Sequence, residues 1–177
     1  PKDGRAAADD AAWHELLAPA LSGHDIALLS EAGLPAVADP ASALVAQAHA
    51  TGLNVAPLAG PSAITLALAA SGLQGQSFAF VGYLPTEVAA RAARVRALEM
   101  LSRRERQTQI AIETPYRNAA LMAALLDTLH PDTRLAVACG LTLAAGWCRM
   151  ATVAQWRQAP PRFEPKDLPA VFLWLAA

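Results

Sequence analysis

The chain has 177 residues and a mass of 18.5 kDa, a size typical of one large domain or two small ones with a buried core. Hydrophobic residues make up 54% of it and charged residues 16%, with no run near the ~18 apolar residues of a membrane span, which argues against disorder and against a membrane protein. The formal net charge is −1, and two cysteines without grouped histidines argue against a disulfide scaffold and a zinc site, so we expect a soluble, cytoplasmic protein without a metal.

The first part of the chain is predicted to alternate helices and strands across short loops. Trp13, Leu16, Leu17 and Leu21 form one apolar stripe at helical spacing. The predicted elements are a helix over residues 9–21, a strand over 25–29, a helix from Asp39-Pro40 to residue 50, a strand over 54–58 and a helix over 62–70. This alternation is typical of a parallel sheet in an α/β protein.

The second part of the chain predicts an α+β arrangement with a mixed sheet. Its predicted elements are a strand over residues 77–84, a helix over 87–104, a strand over 108–113, a helix over 116–129, a strand over 134–142, an antiparallel strand over 147–153, a helix over 153–158, a proline-rich loop over 159–169 and a strand over 170–176.

The charges divide the chain into two halves of opposite sign. Residues 1–80 hold two basic and seven acidic residues, whereas residues 81–177 hold twelve basic and eight acidic ones. All but one of those twelve are arginines, the residue best suited to phosphate. We therefore predict two domains, residues 1–80 and 81–177, that meet near Tyr83-Leu84-Pro85.

Three loops directly follow predicted strands, where open α/β sheets bind ligands. They cover residues 30–35, 59–62 and 113–117, and the first two are built largely of small residues that let a ligand lie against the backbone. The chain has no G-x-G-x-x-G, no G-x-x-x-x-G-K-[ST] and no G-x-S-x-G segment. Dinucleotide enzymes, P-loop enzymes and serine hydrolases with a nucleophile elbow therefore fit poorly.

Five segments in this order resemble the signature segments of the tetrapyrrole methylase superfamily. They read SEAGLPAVADP at residues 30–40, LAGPSA at 58–63, ASGL at 70–73, GYLP at 82–85 and ETPYR at 113–117. Among the branches of that superfamily, the segments are most similar to the one that 2'-O-methylates ribosomal RNA.

The resemblance implies a homodimeric, two-domain α/β methyltransferase that binds S-adenosylmethionine between its domains. The family's opening βα units have no counterpart in a chain that begins at Pro1, so we expect a fragment with an incomplete parallel sheet in its N-terminal part. No catalytic residue is implied. The implied cofactor-binding residues are Ser30, Glu31, Ala32, Gly33, Pro35, Gly60, Pro61, Ser62, Ala63, Thr114, Pro115, Ala138 and Leu141.

Arginines of the second half are candidate contacts for ribosomal RNA. The substrate candidates are Arg91, Arg94 and Arg117, with Arg96, Arg103, Arg104 and Arg106 as further phosphate contacts. A solvated helix face is the alternative for the helical arginines, because three glutamates are interleaved among them. For Arg117 the alternative is an ion pair with Glu113.

Two other functions stay open at this point. One is methylation of a tetrapyrrole or another small acceptor. The other is a paralogue that binds the cofactor but has lost methyl transfer. The second is favoured by the segment CGLTL at residues 139–143, where the RNA branch has RELTK. Glu31 and Leu34 stand where Asp and Thr are usual, which changes the side chains beside the implied cofactor loop.

Overall fold

The computed structural model describes residues 3–177, with side chains described from Ala12 onward. The chain divides into two compact units, the N-terminal unit of residues 1–62 and the C-terminal unit of residues 63–177. Residues 63–80 therefore group with the C-terminal sheet. A compact unit need not fold on its own, so the domain division at residues 80 and 81 stays a prediction.

The N-terminal unit contains two helices that pack on each other, α1 (Asp3–Leu21) and α2 (Ser42–Ala50). The predicted strands over residues 25–29 and 54–58 are wrong, since neither segment joins a sheet. Leu29 and Leu58 are 85% and 83% exposed. A short apolar run becomes a strand only where a neighbouring strand receives its backbone hydrogen bonds. The described residues of this unit contain no strand that could pair with either segment, so they do not form the expected parallel sheet.

Helix α2 begins later than the Asp39-Pro40 signal predicts. Its N-cap is Ala41, which has no side-chain cap. Oδ1 of Asp39 instead accepts hydrogen bonds from the amides of Ala41 at 2.8 Å and Ala36 at 3.4 Å. The carboxylate thus stabilises the turn that precedes the helix, as aspartate commonly does in tight turns.

The C-terminal unit follows the predicted order of elements closely. Its helices are α3 (Ala63–Ser71), α4 (Val88–Glu105), α5 (Asn118–Thr128) and α6 (Val153–Gln158), with a 3-10 helix (Pro115–Arg117) before α5. Its strands are β1 (Phe78–Tyr83), β2 (Thr108–Glu113), β3 (Arg134–Cys139), β4 (Trp147–Thr152) and β5 (Ala170–Leu175). The predicted strand over 134–142 is too long, because Gly140 and Thr142 have positive φ angles of 57° and 72° that end the ladder.

The five strands form a mixed sheet in the order β1-β2-β5-β3-β4, which confirms the predicted mixed sheet. Strands β1 and β2 pair in parallel, and β5 is antiparallel to both β2 and β3. Strands β1, β2 and β3 therefore run in one direction. Their last residues lie at one edge of the sheet, called the carboxyl edge below.

Apolar side chains cover both faces of this sheet. Helix α3 packs on β3, β4 and β5, where Ile64, Ala67 and Leu68 meet Ala136 and Leu173. The opposite face is covered by α4, α5 and α6, and its buried residues include Val95, Leu98, Leu125, Trp156, Phe172 and Trp174. The C-terminal unit is thus a layer of sheet between helices, which is the packing of an α/β protein.

Helix α4 is capped by Glu87, and this contact predicts a pH dependence. The carboxylate accepts hydrogen bonds from the amides of Ala89 at 2.8 Å and Ala90 at 2.6 Å, which lowers the pKa of Glu87 below 4.5. A lowered folded-state pKa adds stability above pH 4.5 that is lost as the pH falls through the folded value. We expect Glu87→Gln to melt below the unmutated chain at pH 7 and level with it at pH 2. Thermal unfolding across this range is the measurement, with Glu15→Gln as the exposed control; equal melting temperatures at pH 7 would contradict the prediction.

Candidate functional site

The carboxyl edge brings together several of the predicted cofactor residues. Strand β2 ends at Glu113 and leads directly to Thr114 and Pro115, while β3 carries Ala138 and leads through Gly140 to Leu141. Both strands pair with β5 in register, Glu113 and Cys139 each opposite Ala170. Thr114, Pro115, Ala138 and Leu141 therefore lie at one edge of the sheet, separated only by β5.

One row of residues crosses the sheet just inside this edge, on the face that α3 covers in part. Strand pairing places Tyr83, Ile112, Val171, Ala138 and Cys148 side by side on the five strands. Ala138 is fully buried, but Ile112 and the nearby Leu141 are only partly buried. The row supplies a small apolar surface next to strand-end backbone groups, which is the usual composition of a ligand site.

The loop after β3 has a tight shape that two glycines permit. The amide of Gly140 donates to the carbonyl of Pro169 at 2.9 Å, and the amide of Gly146 donates to Leu143 at 2.9 Å. A Cβ on Gly140 would lie 2.9 Å from Leu168, and one on Gly146 would lie 2.1 Å from the carbonyl oxygen of Gly140. The loop folds back on its own backbone, and this fold sets the position of Leu141.

Arg117 forms an ion pair with Glu113. Its Nη2 atom lies 3.2 Å from Oε2 of Glu113, whose side chain is 2% exposed. Oε1 of the same carboxylate accepts from the amide of Thr114 at 2.8 Å and from its hydroxyl at 3.2 Å. The pair fixes the start of the 3-10 helix, so the ion-pair alternative is confirmed, and the role of Arg117 toward a substrate stays a prediction.

The arginines of α4 differ in their surroundings. Arg91 is half-buried; its Nη1 donates to the carbonyl of Thr86 at 3.4 Å and its buried Nε has no hydrogen-bond partner. Arg94 and Arg96 are exposed. Near the end of the helix Arg103 donates to the carbonyl of Ala177, and Arg104 pairs with Glu105 at 2.7 Å. Phosphate binding by these arginines stays a prediction.

The remaining predicted cofactor loops belong largely to the N-terminal unit, and two of them adjoin there. A Cβ on Gly60 would contact Leu34 at 3.4 Å, so the loop containing Gly60 and Pro61 lies against the loop of residues 30–35. In the loop of residues 30–35 the Ser30 hydroxyl donates to the carbonyl of Ala32 at 3.2 Å, and Gly33 has a φ of 78° with open space around it. Glu31 and Ala32 are exposed, and Ser62 and Pro35 are half-buried. Ala63 begins α3 in the C-terminal unit.

Sequence reasoning placed Tyr83 and Tyr116 within the segments GYLP and ETPYR but proposed neither of them, nor Ile112, as a site residue, although all three lie at or near the carboxyl edge. Their positions at strand ends were the available signal. Among the described residues no cluster of three or more histidine, cysteine, aspartate or glutamate side chains is placed to hold a metal ion. The described helices are also too short or too polar to cross a membrane.

Solved structures of known methyltransferases share this fold. The methyltransferase CobJ matches 93% of this chain and 70% of its own length with a TM-score of 0.61 and 20% identity. The uroporphyrin-III-C-methyltransferase of Thermus thermophilus matches 94% of this chain and 71% of its own with a TM-score of 0.57 and 20% identity. The α/β fold with its mixed sheet is therefore that of the tetrapyrrole methyltransferases.

Sequence comparison assigns the family. The family model of Tetrapyrrole (Corrin/Porphyrin) Methylases matches residues 1–153, and the chain belongs to the tetrapyrrole methylase family. Members of this family use S-adenosylmethionine, and a Thermus thermophilus member has been solved in complex with S-adenosyl homocysteine.

Within the family, the chain is similar in sequence to curated ribosomal RNA methyltransferases. Ribosomal RNA small subunit methyltransferase I of Mesorhizobium japonicum is 38% identical over 128 residues, which are 72% of this chain and 42% of the relative. The protein of the same name from Vibrio cholerae is 40% identical over 122 residues, 69% of this chain and 41% of the relative. The chain thus spans about two fifths of the length of the curated relatives that it matches.

Proposed function

We propose that this chain is part of an S-adenosylmethionine-dependent methyltransferase that 2'-O-methylates ribosomal RNA. The observation that carries the proposal is its 38–40% identity to curated relatives named for ribosomal RNA, against 20% to the solved methyltransferase CobJ and uroporphyrin-III-C-methyltransferase. We further propose that the complete protein acts in the cytoplasm as a homodimer.

The carboxyl edge suits an adenosine-type cofactor. Ile112 and Leu141 leave a partly open apolar surface beside the buried Ala138, against which a flat ring can pack. The loop of residues 30–35 offers small side chains and an open glycine, so that a ligand can approach its backbone closely. The residues that we propose to bind the cofactor are those that the resemblance implies: Ser30, Glu31, Ala32, Gly33, Pro35, Gly60, Pro61, Ser62, Ala63, Thr114, Pro115, Ala138 and Leu141.

In the proposed reaction the chain aligns the acceptor with the methyl group and excludes water, and no residue is assigned as a general base. When bound, the sulfonium cofactor supplies an activated methyl group. Transfer to a hydroxyl oxygen needs acceptor and methyl carbon in line, and holding both in a dry site removes much of the entropic barrier. The strand ends at Glu113 and Cys139, both paired with Ala170 of β5, would hold that alignment, and the ion pair with Arg117 also holds Glu113.

Gly33 gives the sharpest test of cofactor binding, because the N-terminal unit offers a matched control. Gly33 and Gly23 both have positive φ, 78° and 91°, and a Cβ added to either would have no atom within 4 Å. Alanine at either position costs about 1–2 kcal/mol of backbone strain. We expect Gly33→Ala to weaken S-adenosylhomocysteine binding about tenfold in calorimetry, since its Cβ also intrudes on the ligand, which corresponds to roughly 1.4 kcal/mol.

The Gly23→Ala control separates loss of cofactor contact from loss of stability. Gly23→Ala should bind S-adenosylhomocysteine like the unmutated chain while losing similar stability. Equal loss of affinity in both variants would remove residues 30–35 from the site. Methyl transfer is then measured with tritiated S-adenosylmethionine and small-subunit ribosomal RNA, with mapping of the 2'-O-methyl group. Cofactor binding without label in RNA would contradict the proposed acceptor and favour the degenerate paralogue.

A further inference from the structure

The chain has two tyrosines, and both lie at the carboxyl edge with their rings in solvent. Tyr83 is the last residue of β1 and is 61% exposed. Tyr116 lies in the 3-10 helix that follows β2 and is 81% exposed. Tyr83 pairs with Ile112 on the neighbouring strand, and such strands lie about 5 Å apart. Tyr116 follows Ile112 by a few residues, so the two tyrosines lie near the ends of adjacent strands.

The two tyrosines are the most exposed aromatic residues of this unit, ahead of Phe78, which is 41% exposed. Trp156, Phe172 and Trp174 are completely buried, so the fold covers its large aromatic side chains where packing requires them. Neither tyrosine pairs with another aromatic ring or makes a side-chain hydrogen bond within the described residues. The two rings add little to packing and are available to a ligand.

A cation with an unfilled donor lies at the same end of the unit, where α4 begins, although α4 covers the face of the sheet opposite to α3. The chain passes from Tyr83 through Thr86 into α4, whose first turn carries Arg91. The buried Nε of Arg91 has no acceptor, and the hydrogen bond from its Nη1 to Thr86 is long at 3.4 Å. The nearby Glu87 carboxylate is engaged by the amides of Ala89 and Ala90. Arg91 as a whole is only half-buried, so an anionic oxygen such as that of a phosphate would approach the exposed part of its guanidinium and not the buried Nε.

We propose that Tyr83 and Tyr116 form a stacking platform for unpaired bases of the RNA acceptor and that Arg91 contacts an adjacent phosphate. Proteins read single-stranded RNA by stacking splayed bases on aromatic rings beside a basic surface. An acceptor whose ribose hydroxyl must reach the cofactor site needs its base held outside a helix, and this edge carries both groups. The inference rests on the proposed function.

The test compares two single-stranded probes on the 177-residue chain. One is a fluorescent oligocytidylate of about ten nucleotides, a typical single-strand site size, and the other is an abasic strand with the same phosphates. Fluorescence anisotropy at low salt measures both affinities. We expect Tyr83→Leu and Tyr116→Leu each to weaken oligocytidylate binding about tenfold and to leave the abasic strand unaffected. Tyr→Phe at each position should bind like the unmutated chain.

Two further variants separate stacking from charge. Phe78→Leu is the matched control, because Phe78 is also exposed on β1 but lies at the opposite end of the strand. It should change neither affinity. Arg91→Gln should weaken both probes equally and reduce the slope of log K against log salt by about 0.7, the value for one phosphate contact on a single strand.

Each failure points to a different conclusion. Unchanged oligocytidylate binding in folded leucine variants, with circular dichroism as the check, overturns the platform and leaves the proposed function standing. Equal affinity of the unmutated chain for both probes overturns it as well. S-adenosylhomocysteine binding with no binding of either probe overturns the platform and the RNA acceptor together, but leaves the methyltransferase assignment.

Discussion

Gly146→Ala is expected to destabilise the C-terminal unit by about 3 kcal/mol, the upper end of the cost of overpacking. The new Cβ would lie 2.1 Å from the carbonyl oxygen of Gly140 and 2.9 Å from that of Leu143. Both atoms belong to backbone, which cannot rotate away as the end of a side chain can. The loop must open, and the hydrogen bond between the Gly146 amide and Leu143 is lost with it.

Gly75→Ala is the matched control for this prediction. Gly75 also lies in a loop of the C-terminal unit, but a Cβ there would have no atom within 4 Å, and its φ is not positive. Urea unfolding should place Gly75→Ala within about 0.5 kcal/mol of the unmutated chain, as for most surface substitutions. Because the loop positions Leu141, Gly146→Ala should also weaken S-adenosylhomocysteine binding. Equal stabilities of the two alanine variants would show that the loop is not held as described.

Elements with strong local signals could be predicted from the sequence to the residue. Strand β2 over Thr108–Glu113 and helix α6 over Val153–Gln158 are both confirmed at their predicted bounds. Helix α6 begins at a capping box, in which Thr152 accepts from the amide of Gln155 and the Gln155 side chain accepts from the amide of Thr152. Such contacts depend on residues a few positions apart, which the sequence displays directly.

Strand pairing in the N-terminal unit could not be predicted in this way. The runs over residues 25–29 and 54–58 have the apolar composition of buried strands, but composition carries no information on whether a partner strand is present. Pairing is a contact between distant segments, and it decides whether such a run becomes a strand. The start of α2 is mispredicted for a different reason: the Asp39 carboxylate can cap a helix or close a turn, and here it is engaged by the amides of Ala36 and Ala41.

The residues of the candidate site could likewise be predicted only in part. The resemblance directed attention to Thr114, Pro115, Ala138 and Leu141, and the sheet order then places them at one edge. The spacing of Glu113 and Arg117 permitted either an ion pair or a free cation, and only the fold decides between them. The exposure of Tyr83 could not be predicted either, because it depends on α3 packing over β3, β4 and β5.

Trp156→Ala is expected to have the largest effect on stability, about 4 kcal/mol, because the side chain is large and completely buried. Its ring joins α6 to the core beneath the sheet, and its Nε1 donates to the carbonyl of Leu135 at 2.8 Å. The Arg149 guanidinium lies 4.5 Å from the centre of the ring and adds a cation–π contact. Alanine leaves a cavity that α6 and β3 can close only by shifting toward each other. Urea unfolding, followed by circular dichroism, measures the loss.

A second pair of variants separates the hydrogen bond of Trp156 from its volume. Trp174 is equally buried, but its Nε1 has no hydrogen-bond partner among the described residues. Phenylalanine removes a similar volume at both positions, yet only at 156 does it also remove a hydrogen bond, worth about 1 kcal/mol. At 174 the same change removes a buried donor whose lack of a partner is itself destabilising. Trp156→Phe should therefore be less stable than Trp174→Phe by at least that amount, and the reverse order would contradict the assigned role of the Leu135 carbonyl.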